Sequence, residues 1–364
     1  MSTTLSVVVP VHAVEAYLYG CLDSIVGGLT PDERARVEVI AVDDASPDRC
    51  GALLDAYAEK QLIVRVVHLA SNVGLGLARN AGLAEATGDY VWFVDSDDWL
   101  PAGSVRAVLA ALDADEPDVL LIDHLRVDED GHAAPDASSL LLAEPTLEKR
   151  LGLQHTAWNR IIRREFLLVN GLRFHPGWYE DVSFSHPVLL AADRIATLDR
   201  VCYHYRIGRP GAITTTRGAR HFEAFDQYER LQEWLVAHDV DPALKIRLFS
   251  LMINHLLVVA GNDDRLHPGQ RRAFFRRTAE MYRRHRPAGL LPGLRQRLVA
   301  TDNYVAYALL RAAYRLAKKT RSGRPAPSGR SNLVNVKPCS DPQRTPTVTS
   351  SSPGATTRTS VRSA

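Results

Sequence analysis

The chain has 364 residues, 46% of them hydrophobic and 24% charged, with a formal net charge of +2; this is the balance of an ordinary soluble globular protein with one large domain or two smaller ones. Cys21, Cys50, Cys202 and Cys339 are scattered without a C-x-x-C pair, which argues against a structural zinc and fits a reducing compartment. No basic segment precedes the apolar Leu5–Pro10, and the apolar stretch Leu248–Ala260 is short and carries Asn254 and His255, so a cytoplasmic protein without signal peptide or membrane span is expected.

Strand and helix signals alternate through the first third. Leu5–Val9 is a short β-branched run. Glu15–Val26 has helical spacing through Tyr17, Leu18, Leu22 and Ile25 and stops at Gly27-Gly28. Val37–Val42 reads as a strand, followed by Asp43-Asp44 and a turn at Ser46-Pro47-Asp48. Cys50–Glu59 reads as a helix, Ile63–Leu69 as a strand, and Leu75–Ala86 as a helix closed by Gly88. Tyr90–Val94 is the fourth strand. Pro101–Leu112 is a helix with Pro101 near its first turn, and Val119–Ile122 is the fifth strand. This order predicts an α/β fold, a mostly parallel sheet flanked by helices.

The stretch from about Leu125 to Thr216 is mixed, with strand-like Ile195–Leu198 and Val201–Tyr205 and helical Asp181–Ala192. From about Gly218 to Lys319 the pattern is helical, over Phe222–Ala237, Pro242–Ala260, Gly269–Arg283 and Tyr304–Lys319. Beyond Arg321 the Ser-, Thr-, Pro- and Arg-rich tail is expected to be disordered.

In an open parallel sheet, ligands bind beyond the carboxyl ends of the strands. Three polar clusters fall at such ends: Pro10-Val11-His12, Asp43-Asp44 and Asp95-Ser96-Asp97-Asp98. Asp95 and Asp97 sit at i and i+2 after a buried strand, so both carboxylates face one way and can share a hard cation, Mg2+ or Mn2+, with phosphate oxygens. Asp98 reads as a cap or turn residue. Asp43 suits a base N–H or ribose hydroxyl, whereas Asp44 suits tying down the Ser46-Pro47 turn. Gly74-Leu75-Gly76 lacks the third glycine of a dinucleotide loop, since Arg79 stands there; Arg79 is read as either a nucleotide contact or a surface residue.

Five segments carry a resemblance: Leu5–Val11, Tyr17–Ile25, Val42–Ser46, Ala78–Gly82 and Val94–Leu100. The sequence resembles the family 2 glycosyltransferases, of GT-A fold, over about its first 125 residues. The likeness resumes at Ala157–Ile162, Tyr179–Phe184 and Tyr203–Arg206. The resemblance implies inverting, metal-dependent transfer from a nucleoside-diphosphate sugar, a UDP-sugar first among them, to a glycan, polyol-phosphate or lipid-linked acceptor. It implies that Pro10, His12 and Asp43 line the nucleoside pocket with Arg79 nearby, and that Asp95 and Asp97 hold metal and diphosphate. Asp181 would be the catalytic base, with Glu180 as its fallback. The sequence departs from the family pattern at His12-Ala13, where Tyr-Asn is usual, and at Ala45, where Gly is frequent. Ala45 should matter only if the turn needs a positive φ.

One carboxylate suffices to deprotonate an acceptor hydroxyl for single displacement. At the head of a helix, Asp181 has the alternative role of N-cap. His204, between two tyrosines, is a candidate third metal ligand or a core histidine. Trp158 is a candidate aromatic platform for the acceptor or a core residue. The expected division is a glycosyltransferase domain over 1–216, with nucleotide-binding and acceptor halves about 1–125 and 126–216. A helical region over 217–320 and the tail over 321–364 follow.

From Arg265 to Arg330 only Glu280 and Asp302 oppose the basic charge. Arg271-Arg272, Arg276-Arg277 and Arg283-Arg284 interleave with Phe274, Phe275 and Tyr282, as Arg311, Arg315, Lys318 and Lys319 do with Tyr304, Tyr307 and Tyr314. These basic amphipathic helices either pack on the catalytic domain or meet an anionic membrane surface, where acceptors for surface polysaccharide, wall polymer or glycolipid lie. No nucleic-acid module accompanies them. Two rival functions are a sugar nucleotidyltransferase, which expects a glycine-rich loop after the first strand, and a non-catalytic carbohydrate-binding relative, which would have lost the acids.

Overall fold

The computed structural model describes residues 3–135, 146–209, 211–322 and 334–335. In chain order the first elements are β1 (Leu5–Val11), α1 (Leu18–Val26), α2 (Pro31–Arg34), β2 (Val37–Asp43), α3 (Cys50–Ala58), β3 (Val64–His68), α4 (Leu75–Glu85), β4 (Tyr90–Phe93), α5 (Ser104–Asp115) and β5 (Val119–Val127). Strands β3, β2, β1 and β4 run parallel and adjacent in that order, as the alternation of signals predicts. All of β1 and nearly all of β2 is buried, because helices cover both faces. Pro101 stands before α5 rather than in its first turn; its carbonyl accepts from the Ser104 backbone N–H and hydroxyl.

Past β5 the sheet becomes mixed. The next elements are β6 (His132–Pro135), α6 (Leu147–Leu151), β7 (Arg160–Arg163), α7 (Arg164–Val169), α8 (Glu180–Ala191) and β8 (Ile195–Arg206). Strand β7 inserts between β4 and β5, antiparallel to both. It was not expected, since Arg160–Arg163 offers only two apolar residues for a strand signal. The two strand pieces expected at 195–205 are one strand, β8, which follows β5 in parallel through irregularities at Ile122, Asp123 and His124. That strand returns to the tip of β4, where Trp99 and His204 exchange backbone hydrogen bonds of 3.3 and 2.9 Å.

Helices α9 (Glu223–Ala237), α10 (Pro242–Gly261), α11 (Pro268–His285), α12 (Leu294–Ala300) and α13 (Tyr304–Ser322) complete the described chain with the short strand β9 (Val334–Asn335). They are not a separate body. One apolar cluster runs from Val8 and Phe93 on the sheet through Phe174 and Phe184 to Phe249, Phe274, Tyr282 and Tyr307. Helix α10 is 20 residues long and apolar enough in composition to cross a membrane, yet Leu248, Phe249, Met252, Ile253, Leu256 and Leu257 are buried in that cluster. Helix α11 turns Phe274, Phe275 and Tyr282 inward, and several of its arginines meet acids: Arg277 reaches Glu280 at 3.2 Å and Arg284 reaches Glu229 at 2.7 Å. The tail expected to be disordered lies outside the described residues, apart from 321–322 and 334–335.

Candidate active site

The predicted clusters meet where β1, β2 and β4 end. At the end of β2, Asp43 and Asp44 divide the work opposite to expectation. Asp43, not Asp44, ties the Ser46 turn: it accepts from the Ser46 backbone N–H at 3.0 Å, and its second oxygen meets His68 Nδ1 at 3.0 Å. Burial pushes its pKa up, but the Ser46 and His68 hydrogen bonds outweigh it and hold the carboxyl below its usual value. Asp44 accepts from the backbone N–H groups of Val73 and Gly74 at 2.7 and 2.9 Å, anchoring the loop that starts α4. His12 is exposed, with Nδ1 2.9 Å from the Asp44 carbonyl and its ring against Asn72. Pro10 is buried in β1 beyond the last β1–β4 pair.

The two departures from the family pattern both fall at left-handed backbone. Ala13 has φ +53° and Ala45 φ +48°. The turns do require positive φ, which Asn and Gly accept more readily than Ala.

At the tip of β4, Asp98 is a structural carboxylate. It is 2% exposed and accepts from Tyr203 Oη and the Arg206 backbone N–H, both at 2.7 Å. Burial, then Asp97 and Asp95, push its pKa well up. Asp95 and Asp97 are half-buried. Asp95 gives one oxygen to Arg79 at 2.6 Å, and Asp97 gives one to Arg209. Each keeps its other oxygen without a partner among the described residues. Arg206 donates Nε to the Asp97 carbonyl at 2.8 Å and lies 4.7 Å from the ring centroids of Tyr17 and Trp99. Sequence reasoning assigned neither Arg206 nor Arg209 to the site. Their signal was a pair of arginines, one ending a strand and one three residues beyond it, where the strand's partner could not be read.

Two expectations are corrected. His204 is 7% exposed, its Nδ1 is buried without a partner, and burial lowers its pKa to about 4. It packs edge-on against Trp99, and its donor atoms do not converge with those of Asp95 and Asp97. Among the described residues the one convergent set of three is Asp128, Asp130 and His132, on the turn between β5 and β6, and it includes neither Asp95 nor Asp97. Trp158 is 2% exposed, stacked on Tyr203 at 4.3 Å and on Tyr205 at 5.5 Å, with its carbonyl accepting from Trp92 Nε1. It is core, and no face of it awaits a sugar.

Arg79 is neither a surface residue nor aimed at open solvent. It is 2% exposed and bridges two carboxylates, Asp95 on one side and Glu180 on the other, each at 2.6 Å. The approach of α4 to α8 that permits this depends on Gly76: a Cβ there would stand 2.8 Å from Glu180 Cγ and 2.9 Å from the His175 carbonyl. The Gly74-Leu75-Gly76 run is therefore a packing feature, and Gly74 takes φ +89° at the head of α4.

Helix α8 opens at Tyr179, whose φ of +64° is strained for a tyrosine. Asp181 is thus in the first turn and is not the cap. Its carboxylate accepts from no other residue among those described, and the residue stays half-buried rather than sealed. Burial raises the pKa of both Glu180 and Asp181 to about 7, against the pull of Arg79 on each and of Arg160 on Asp181. Glu180 has the guanidinium of Arg79 to hold its charge and Asp181 has no such partner, so the proton shared by this pair near neutrality belongs on Asp181. A partly accessible carboxyl raised to about 7, next to a Glu180 that Arg79 joins to Asp95, is suited to general-base work.

Residues 6–167 match the family model "Glycosyl transferase family 2". The chain carries a family 2 glycosyltransferase domain. The chain is 28% identical over 225 residues to the uncharacterized glycosyltransferase EpsJ of Bacillus subtilis, covering 59% of this chain and 64% of that one. It is 28% identical over 253 residues to the poly(ribitol-phosphate) beta-N-acetylglucosaminyltransferase TarS of Staphylococcus aureus, covering 68% of this chain and 43% of TarS. The match thus spans less than two thirds of either relative. Among solved structures, S. aureus TarS 1–349 in complex with UDP-GlcNAc superposes with a TM-score of 0.71 at 23% identity, covering 86% of this chain and 92% of that one. The mannosyltransferase PcManGT of Pyrobaculum calidifontis, in complex with GDP-Man and Mn2+, superposes with a TM-score of 0.52 at 20% identity, covering 86% and 83%. The fold of the family 2 domain is GT-A.

Proposed function

We propose that the protein is an inverting glycosyltransferase that moves a sugar from a nucleoside diphosphate to an acceptor hydroxyl, with Asp181 as base. The carrying observation is the unpartnered, half-buried Asp181 carboxyl, raised to about 7, one residue from a Glu180 that Arg79 ties to Asp95. The acceptor hydroxyl gives its proton to Asp181 as its oxygen attacks the anomeric carbon. The bond from that carbon to the diphosphate breaks on the opposite face, so configuration inverts and no covalent enzyme intermediate forms.

The residues present fit a divalent cation. Asp95 and Asp97 are oxygen donors at one strand tip, each with an oxygen left over, and they would hold it. The cation would act as a Lewis acid on the leaving diphosphate. Arg206 and Arg209, stacked near Tyr17 and Trp99 beside Asp97, bring fixed positive charge to the same place. The UDP-GlcNAc complex of TarS supports a UDP-sugar donor. Asp43 and His12 are candidates for the nucleoside side of the cleft. We propose further that the protein works in the cytoplasm against the inner face of the membrane; exposed Leu291, Leu294, Val305 and Leu309 among the arginines of its last helices support this reading.

A panel of UDP-, GDP- and dTDP-sugars, hydrolysed with and without Mn2+, tests the reaction. Metal-dependent turnover of one donor is expected. Turnover of none, or turnover indifferent to metal removal, contradicts the reading.

A further inference from the structure

Beside the end of β2 an imidazole stands between two carboxylates. His68 closes β3 and lies opposite Asp43 in the parallel ladder. Its Nδ1 is 3.0 Å from Asp43 Oδ2, and its Nε2 is 2.9 Å from Asp55 Oδ1 on α3. A carboxylate only accepts, and a neutral imidazole has one N–H to give. Both contacts are hydrogen bonds only when both ring nitrogens carry a proton, so the geometry is that of an imidazolium. In keeping with this, Asp55 and then Asp43 raise the His68 pKa above its ordinary value.

The backbone makes room for this arrangement. A Cβ on Gly51, in the first turn of α3, would stand 2.9 Å from Asp43 Oδ2 and 3.6 Å from His68 Cε1. The other charged groups of the surrounding elements leave the ring to its two acids. On β3, Arg65 pairs with Glu85 at 2.7 Å. At the head of α3, Arg49 pairs with Glu15 at 3.3 Å, and Asp48 accepts from the backbone N–H groups of Glu15 and Cys50. Asp44 takes the backbone N–H groups of Val73 and Gly74. Glu59 and Lys60, of opposite sign, follow α3 in an exposed turn. The His68 side chain is 46% exposed, that of Asp43 only 10%, and His12 and Asn72 are exposed close by. The charge on His68 therefore follows bulk pH, and its hydrogen bond carries that charge to the buried carboxylate at the strand tip.

We propose that His68 is a positioning residue for the nucleoside end of the donor site. Together with the Ser46 N–H it holds the Asp43 carboxylate in one orientation, and it places a positive charge near an anionic ligand. This rests on the reading of Asp43 as a nucleoside-binding residue. When His68 loses a proton, its remaining N–H serves Asp43 or Asp55 but not both, and the site loses one positive charge. Both changes weaken binding of a nucleoside diphosphate as pH rises. Asp55, on the other side of the ring from Asp43, sets the pH at which this happens.

Calorimetric titration of the full chain with UDP, from about pH 6 to about pH 9, tests the role. His68→Asn keeps a donor toward Asp43 but does not titrate. Titration of UDP itself is common to all variants and cancels in their ratios. The wild type is expected to bind about five- to tenfold more tightly than His68→Asn at the acid end and equally at the alkaline end. Asp55→Asn is expected to move the midpoint of the wild-type profile to lower pH by about half a unit or more, and it decides the matter if His68→Asn does not fold. A merely structural His68 would lower affinity by the same factor at every pH. A ratio that is constant with pH, or a midpoint that Asp55→Asn leaves in place, overturns the proposal. UDP binding without this pH dependence overturns the His68 role and leaves the donor reading standing, whereas no UDP binding at any pH overturns both.

Discussion

Arg79 and Glu180 are 101 residues apart in sequence and meet at 2.6 Å inside the protein. The same guanidinium holds Asp95 at 2.6 Å. One buried side chain therefore fixes the tip of β4 relative to the head of α8, and so fixes Asp95 relative to Glu180 and its neighbour Asp181, the proposed base. Glu180 is a positioning residue in this arrangement.

Arg79→Met leaves the buried carboxylate of Glu180 and the half-buried one of Asp95 without their cation. Loss of one partner from a buried pair destabilises by about 3–5 kcal/mol. Urea unfolding is expected to show a loss of that order, together with a fall in transfer rate. Glu180→Gln keeps shape and one hydrogen-bond acceptor, so its loss should be smaller in both measurements. A Glu180→Gln variant as inactive as one without the base would make Glu180 more than a positioning residue.

Ala45 occupies a left-handed turn position with φ +48°. A non-glycine residue there carries about 1–2 kcal/mol of strain, partly offset by the lower unfolded-state entropy of alanine. Ala45→Gly is expected to raise stability by about 0.5–1 kcal/mol in denaturant melts. A destabilised variant would mean that the methyl group packs usefully.

The parallel part of the sheet and the acids at its strand ends were legible because buried parallel strands leave continuous apolar runs and end in polar clusters. Strand β7 was not, because Arg160 and Arg163 mask its two apolar residues and its placement between β4 and β5 is a long-range choice. The sequence offered Asp181 as a candidate base but not its environment: the pairing of Arg79 with Glu180 rather than with Asp181 depends on how closely α4 approaches α8 at Gly76. Trp158 and His204 misled because an aromatic and an imidazole read alike in a core and in a cleft.

Burial raises the folded-state pKa of Asp181 from 3.8 to about 7. The folded state then binds more protons than the unfolded state between those values, so this residue's contribution to stability is lost as pH rises through that window. Asp181→Asn removes the effect. Its melting temperature is expected to exceed that of the wild type by about 2–4 °C at pH 8, with little difference at pH 4. Equal melting temperatures at pH 8 would mean that Asp181 carries no burial strain.

Leu291 and Leu294 are 92% and 63% exposed, and Val305 and Leu309 about as open as Leu294, on a surface that also carries Arg295 and Arg297. Co-sedimentation with vesicles rich in anionic lipid is expected at low salt and lost at high salt or with neutral vesicles. Absence of salt-sensitive binding would leave these helices as a packing layer on the catalytic domain.

The most direct test is the rate of sugar transfer by wild type and Asp181→Asn across pH, with donor binding measured on both. Wild-type transfer should rise with pH through an apparent pKa near 7, because only the ionised carboxyl accepts the acceptor's proton. Asp181→Asn should bind donor as the wild type does and lose transfer by about 100-fold or more. Near-wild-type transfer by Asp181→Asn, or a wild-type rate that stays level through neutral pH, would contradict Asp181 as the base.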